Sequence, residues 1–174
     1  MIVFVDTNIL EDYLRRADTY PCSVMFLDKV ASGHIKGLTS DFVLSELLGI
    51  LKGEREKKLG LEKVKREVLS KHDKEVIDES IRLIRQNIKS AEIPEIEHEE
   101  IYETVLNLCV TVKDAMVLQS ARKLREKIKE DTCIVSRDDR MLYRGWRLMP
   151  VFFPSHFIDR CPSDCVTPCN YRKV

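Results

Sequence analysis

The first ten residues, Met1-Ile2-Val3-Phe4-Val5-Asp6-Thr7-Asn8-Ile9-Leu10, decide how the chain is read. Five apolar residues in a row, three of them β-branched, suit a strand covered on both faces, as strands of a parallel sheet are. The run stops at Asp6. From there Asp6, Thr7 and Asn8 offer helix-capping side chains, and Ile9, Tyr13 and Leu14 recur at helical spacing, so strand passes to helix within three residues.

Working outward, the same strand, cap and helix pattern returns. A helix is expected over about residues 21–31, with Val24, Phe26, Leu27 and Val30 on its apolar side and Gly33 ending it. Ile35 to Thr39 reads as a second strand. Ser40 or Asp41 then caps a helix that carries Phe42, Val43, Leu44, Leu47, Leu48 and Leu51. Further helices are expected over residues 76–88, 99–108 and 112–129. Strands are expected at Ala91 to Pro94, Cys133 to Ser136 and Leu148 to Phe153, with a helical turn from Arg137 to Tyr143. Alternation of this kind predicts an α/β fold: three layers, α/β/α, around a central parallel sheet of four to five strands with right-handed crossovers.

Composition sets limits on the rest. The 174 residues, 44% of them hydrophobic, suffice for one core and one domain, expected over residues 1–158 with a short tail over 159–174. Apolar runs fall far short of the ~20 residues a membrane helix needs, so a soluble, cytoplasmic protein is expected. The 29 basic and 29 acidic residues balance, so any polyanion must be held by local patches and not by net charge. Residues 53–75 are dense in both signs and read as a solvated helical face with acid–base pairs, or as an arm for RNA or a partner.

In a parallel sheet, functional groups gather at the carboxyl ends of the strands, where loops open a crevice and helix N-termini point into it. Four acids stand at such places: Asp6 after the first strand, Glu46 on the second turn of the helix after the second, Asp114 opening the long helix, and Asp138 after the Cys133 to Ser136 strand. Carboxylates brought together out of water repel one another unless cations join them. A ring of Asp and Glu without His or Cys points to a hard ion, Mg²⁺ or Mn²⁺. Phosphodiester hydrolysis is the chemistry such a site supports. Taken singly, each acid could instead cap a helix, begin a turn or sit exposed on a helix.

Val3 to Leu10 resembles the opening strand and acid of PIN domains, Ser40 to Leu48 their Ser-x-x-x-x-x-Glu helix, Asp114-Ala115 with Ala121 their third acidic motif, and Ser136-Arg137-Asp138 their fourth. Val151 to Phe157 is similar to the last strand and proline turn of toxin-type members. The resemblance covers about residues 1–158. It implies a metal-dependent ribonuclease with Asp6, Glu46, Asp114 and Asp138 as catalytic metal ligands and Asn8 and Ser136 orienting them. It also implies RNA as substrate, a homodimer, and either an antitoxin partner or a housekeeping role. Asp139 stands beside Asp138 and could face the metal in its place, although the Ser-x-Asp spacing favours Asp138. Lys113, Arg137, Arg140 and Arg144 flank the site as possible RNA-phosphate contacts. A competing reading keeps the fold and RNA binding or assembly but not cleavage.

Six cysteines divide into two sets. Cys22, Cys109 and Cys133 lie among apolar neighbours and read as small core residues. Cys161, Cys165 and Cys169 crowd the tail, each separated from the next by three residues, a spacing unlike that of a zinc knuckle. Free thiols, one disulfide, or a metal site completed by His156 all stay open there.

Overall fold

The computed structural model describes residues 1–16, 20–58 and 70–158. Five strands form one parallel sheet in the order β3-β2-β1-β4-β5: β1 Ile2–Val5, β2 Gly37–Ser40, β3 Lys89–Ala91, β4 Thr132–Val135 and β5 Val151–Phe152. Between them run α1 (Thr7–Arg15), α2 (Pro21–Ala31), α3 (Asp41–Lys58), α4 (Lys71–Asn87), α5 (His98–Leu108) and α6 (Val112–Ile128). The α/β class and the five-stranded parallel sheet flanked by helices are as the sequence predicts.

β1 is central and wholly buried, which is why its sequence is continuously apolar. Val5 pairs with Val135, so the next residues, Asp6 and Ser136, emerge side by side. The strand order reverses around β1, and such a reversal opens a crevice at the carboxyl edge. Around the sheet the core joins Phe4, Ile9, Leu10, Phe26, Leu27, Leu47, Leu118 and Ile134. Burying any one of these side chains contributes about 1.5–3 kcal/mol.

The helix ends follow local chemistry. α1 has Asp6 as its cap residue and ends on Arg16 in the left-handed region at φ 46°. α2 opens with Pro21, whose missing N–H is no loss in a first turn. α6 begins in a reciprocal capping box between Thr111 and Asp114.

Several expected boundaries move. β2 lies two residues later than expected and β3 two residues earlier, because the β2–β3 register pairs Leu38 with Lys89 and Ser40 with Ala91. β5 shrinks to two residues, its pairing confined to Val151 and Phe152. The helical turn after β4 runs over Met141–Gly145 with π spacing. In the charged segment, Arg55 pairs with Asp73, Arg15 with Glu54 and Lys52 with Glu56, consistent with an ion-paired surface. Residues 59–69 of that segment, and the tail with Cys161, Cys165 and Cys169, lie outside the described residues.

Cys133 is a core thiol, its pKa pushed up to about 11 by burial. Cys22 is also buried, but is disulfide-bonded and not a simple packing residue. Cys109 departs from expectation: it is exposed, because it is the left-handed residue that ends α5, at φ 50°. No helix among the described residues is long and apolar enough to cross a membrane.

Candidate metal centre

Asp6 leaves the sheet at the end of β1 and is 5% exposed. Both its oxygens are held. Oδ1 accepts the Thr7 N–H at 2.7 Å, while Oδ2 accepts Asn8 Nδ2 at 2.8 Å and Ser136 Oγ at 2.7 Å. The contact with Ser136 follows from the β1–β4 register. Asn8 also ties the two loops together, donating to Ser136 Oγ at 3.0 Å and accepting the Arg137 N–H at 3.2 Å. Asn8 and Ser136 thus fix the orientation of the Asp6 carboxylate.

The other acids arrive from three different elements. Glu46, on the second turn of α3, accepts Thr7 Oγ1 at 2.7 Å through Oε2, and its Oε1 lies 2.8 Å from Lys113 Nζ. Asp114 accepts the Thr111 N–H at 3.1 Å through Oδ2. Asp138 accepts the Arg140 and Met141 N–H groups at 2.7 and 3.1 Å through Oδ1, and its own N–H donates to Ser136 Oγ at 3.0 Å. That last bond gives the Ser-x-Asp spacing its physical meaning. Oδ1 of Asp114 and Oδ2 of Asp138 have no hydrogen-bond partner among the described residues.

All four acids line one cavity of about 550 Å³ at the carboxyl edge of the sheet, together with Glu11 and Asp139. Lys113, Arg137 and Arg140 are the cations on its wall, so six carboxylates face three positive groups. The imbalance is felt at Asp6, whose pKa is raised to about 6, chiefly by burial. The charges of Glu46 and Asp114 push it further up, against the hydrogen bonds from Ser136 and Thr7.

Does this donor set suit a divalent ion? As the side chains stand, no three His, Cys, Asp or Glu groups among the described residues share one coordination point. The chemistry nonetheless fits. The donors are carboxylate oxygens, the choice of Mg²⁺ and Mn²⁺ over zinc. An ammonium, that of Lys113, already occupies a cation position against Glu46, and this pairing with Asp114 nearby holds the Lys113 pKa above its usual value.

The flanking cations are placed unequally. Lys113 is committed to Glu46, Arg144 donates to the Cys109 carbonyl, Arg140 is exposed on the cavity rim, and Arg137 is tethered to Asp12. The sequence reading missed Thr7 as the anchor of Glu46 and Asp12 as the anchor of Arg137. Asp12 carried a signal: it falls between Ile9 and Tyr13 on the buried side of α1, where a carboxylate demands a partner.

A parallel sheet whose carboxyl edge gathers acids from four elements defines an α/β protein of the acidic-site type. The PIN domain family model matches residues 3–145, and the chain belongs to the PIN-domain family. Two solved structures share the fold. VapBC2 from Rickettsia felis, solved bound to a DNA fragment from its promoter, aligns over 88% of this chain and 98% of that one at 13% identity and a TM-score of 0.59. PAE2754 from Pyrobaculum aerophilum aligns over 90% and 92% at 15% identity and a TM-score of 0.57. No curated protein sequence matches significantly.

Proposed function

We propose that this chain is a Mg²⁺- or Mn²⁺-dependent endoribonuclease with Asp6, Glu46, Asp114 and Asp138 as its metal ligands. The observation that carries the reading is the shared cavity, in which a buried, like-charged Asp6 faces three further acids from separate elements. A bound ion would supply a more acidic water and charge stabilisation for the leaving oxygen. The chain's own residues prepare that chemistry. Asn8, Thr7 and Ser136 hold Asp6 rigid, so its carboxylate does not reorganise when charge enters the site. Thr7 holds Glu46 toward Asp6, and the Arg140 and Met141 amides hold Asp138 rather than Asp139 in a fixed orientation. Lys113 offsets charge at Glu46 until a stronger cation takes it.

The reading takes residues 1–158 as the nuclease domain, supported by the family match over residues 3–145, and leaves residues 159–174 outside it. RNA is the substrate inferred from the family. The likeness to VapBC2 favours an antitoxin as protein partner and a cytoplasmic role, and the family favours a homodimer. One observation favours a second reading, a PIN-fold module that binds RNA without cutting it: the acids as placed do not meet at one point.

A panel of labelled RNAs incubated with Mg²⁺ or Mn²⁺ separates the two. Wild-type protein is expected to cleave, and to stop on chelation of the metal, with Asp6→Asn and Asp114→Asn folded but inactive. Binding without cleavage, or cleavage by both variants at the wild-type rate, would establish the second reading or remove this quartet from the chemistry.

A further inference from the structure

Next to the acidic cavity lies a second arrangement of charge that the quartet does not use. Asp12 is on α1, 2% exposed, and takes Ser23 Oγ at 2.8 Å and Arg137 Nε at 2.9 Å on the same oxygen, Oδ2. The Arg137 guanidinium lies 4.2 Å from the centre of the Tyr20 ring. Its backbone N–H is fixed by Asn8. α1 and the start of α2 therefore determine where this one guanidinium sits. A guanidinium offers five N–H donors, and Asp12 takes only the Nε edge; the Nη nitrogens have no partner among the described residues. Arg137 lines the same cavity as Asp6 and Asp138.

We propose that Asp12, Tyr20 and Arg137 form a phosphate-binding subsite beside the acidic cavity, in which the free Nη donors of Arg137 take the non-bridging oxygens of an RNA phosphate adjacent to the one attacked. This rests on the nuclease reading above and extends it to substrate placement. Arg137 is the contact, and Asp12, Ser23 and Tyr20 are positioning residues.

The physical case is one of charge and preorganisation. A cavity with six carboxylates repels an RNA strand, and a cation at the site of attack acts chiefly on the phosphate it touches, its pull on flanking phosphates weakened by distance and salt. Of the three cations on the wall, Lys113 is taken by Glu46 and the exposed Arg140 side chain has no partner among the described residues. Of the three, Arg137 is the one held on two sides, by a carboxylate and by a ring, with Nη donors unpartnered among the described residues. A planar fork held by a carboxylate on one edge and a ring on one face loses little freedom on meeting a phosphate. The residue that lines the cavity is thus the one whose guanidinium is already held by Asp12 and Tyr20.

The test compares wild type with Arg137→Gln, Arg137→Lys and the double variant Asp12→Asn/Arg137→Gln, which leaves no unpaired charge buried if the single variant unfolds. KM and kcat for single-stranded RNA are measured across a salt series. The expected result for Arg137→Gln and the double variant is a rise in KM of roughly tenfold, the cost of one charge-assisted contact. Their kcat should change little, and the slope of log(1/KM) against log[salt] should shrink by about 0.7, the value of one single-strand phosphate contact. Arg137→Lys restores the slope and only part of the KM. Unchanged KM and slope in the folded double variant would overturn the proposal and leave the pair as a structural strut. If wild type does not cut RNA, the nuclease reading fails by itself. Fluorescence anisotropy with the same labelled RNA and Mg²⁺ then decides the subsite: a weakened, less salt-sensitive Arg137→Gln complex keeps it, and equal or absent binding ends it.

Discussion

Asp6 and Asp12 are six residues apart, one capping α1 and the other on the helix itself, and both are almost wholly buried. The protein treats them in opposite ways. Asp12 is given a cation, Arg137, and a hydroxyl, Ser23, and although burial still raises its pKa, those partners work against the rise. Asp6 is given hydrogen bonds from Thr7, Asn8 and Ser136 but no cation, and Glu46 and Asp114 add repulsion. Since the fold can place an arginine against a buried carboxylate so close by, the missing charge at Asp6 is a property of that position. On the proposed function, an external cation would complete it.

The largest effect separating the two positions is on catalysis. Asp6→Asn and Asp114→Asn should each lower kcat by roughly 10²–10³, the scale seen when one electrostatic group is removed from a preorganised site. Asp12→Asn should fall well short of that. Equal losses at Asp6 and Asp12 would erase the distinction.

Stability reverses the ranking. Arg137→Ala strands the Asp12 charge and should cost about 2–3 kcal/mol, below the 3–5 typical of fully buried pairs because Arg137 is 29% exposed. Urea denaturation checks this, and the double variant with Asp12→Asn should recover most of the loss.

The pH dependence sharpens the contrast further. In the unfolded chain Asp6 titrates near 3.8, in the folded one near 6, so between these values the folded state holds the extra proton. The associated stability is present below about pH 4 and is lost as pH rises through 6, a change on the order of 2–3 kcal/mol without metal. Denaturation of metal-free protein at pH 4, 5 and 6 should show the decline in wild type and not in Asp6→Asn. The smallest effect concerns Lys113. Its ion pair with Glu46 is exposed on the lysine side, so Lys113→Ala should tighten Mn²⁺ binding by only about two- to fivefold, the range of a surface pair. Weaker Mn²⁺ binding in that variant would show that Lys113 helps to hold the site and does not compete for it.

Much of this was legible in the chain. The apolar run Ile2 to Val5 broken by Asp6 fixed the central strand, and the four acids at strand and helix junctions led to one cavity. What stayed hidden depends on contacts distant in sequence. β3 at Lys89–Ala91 carries no hydrophobic signal and is defined by pairing with β2. β5 is cut short for the same reason. The tether between Asp12 and Arg137 joins residues 125 positions apart, and the buried place of Asp12 on α1 announces a partner without naming which. Lys113 reads from the sequence as a cation flanking the site, and its pairing with Glu46 shows only once α3 and α6 come together.

The most direct test of the central claim is a Mn²⁺ titration followed by electron paramagnetic resonance, for wild type, Asp6→Asn and Asp12→Asn at pH 7. The account predicts saturable binding to wild type, a loss of tenfold or more in Asp6→Asn, and near wild-type affinity in Asp12→Asn. Equal affinity in all three, or no binding to wild type, would contradict the assignment of Asp6 to a metal centre.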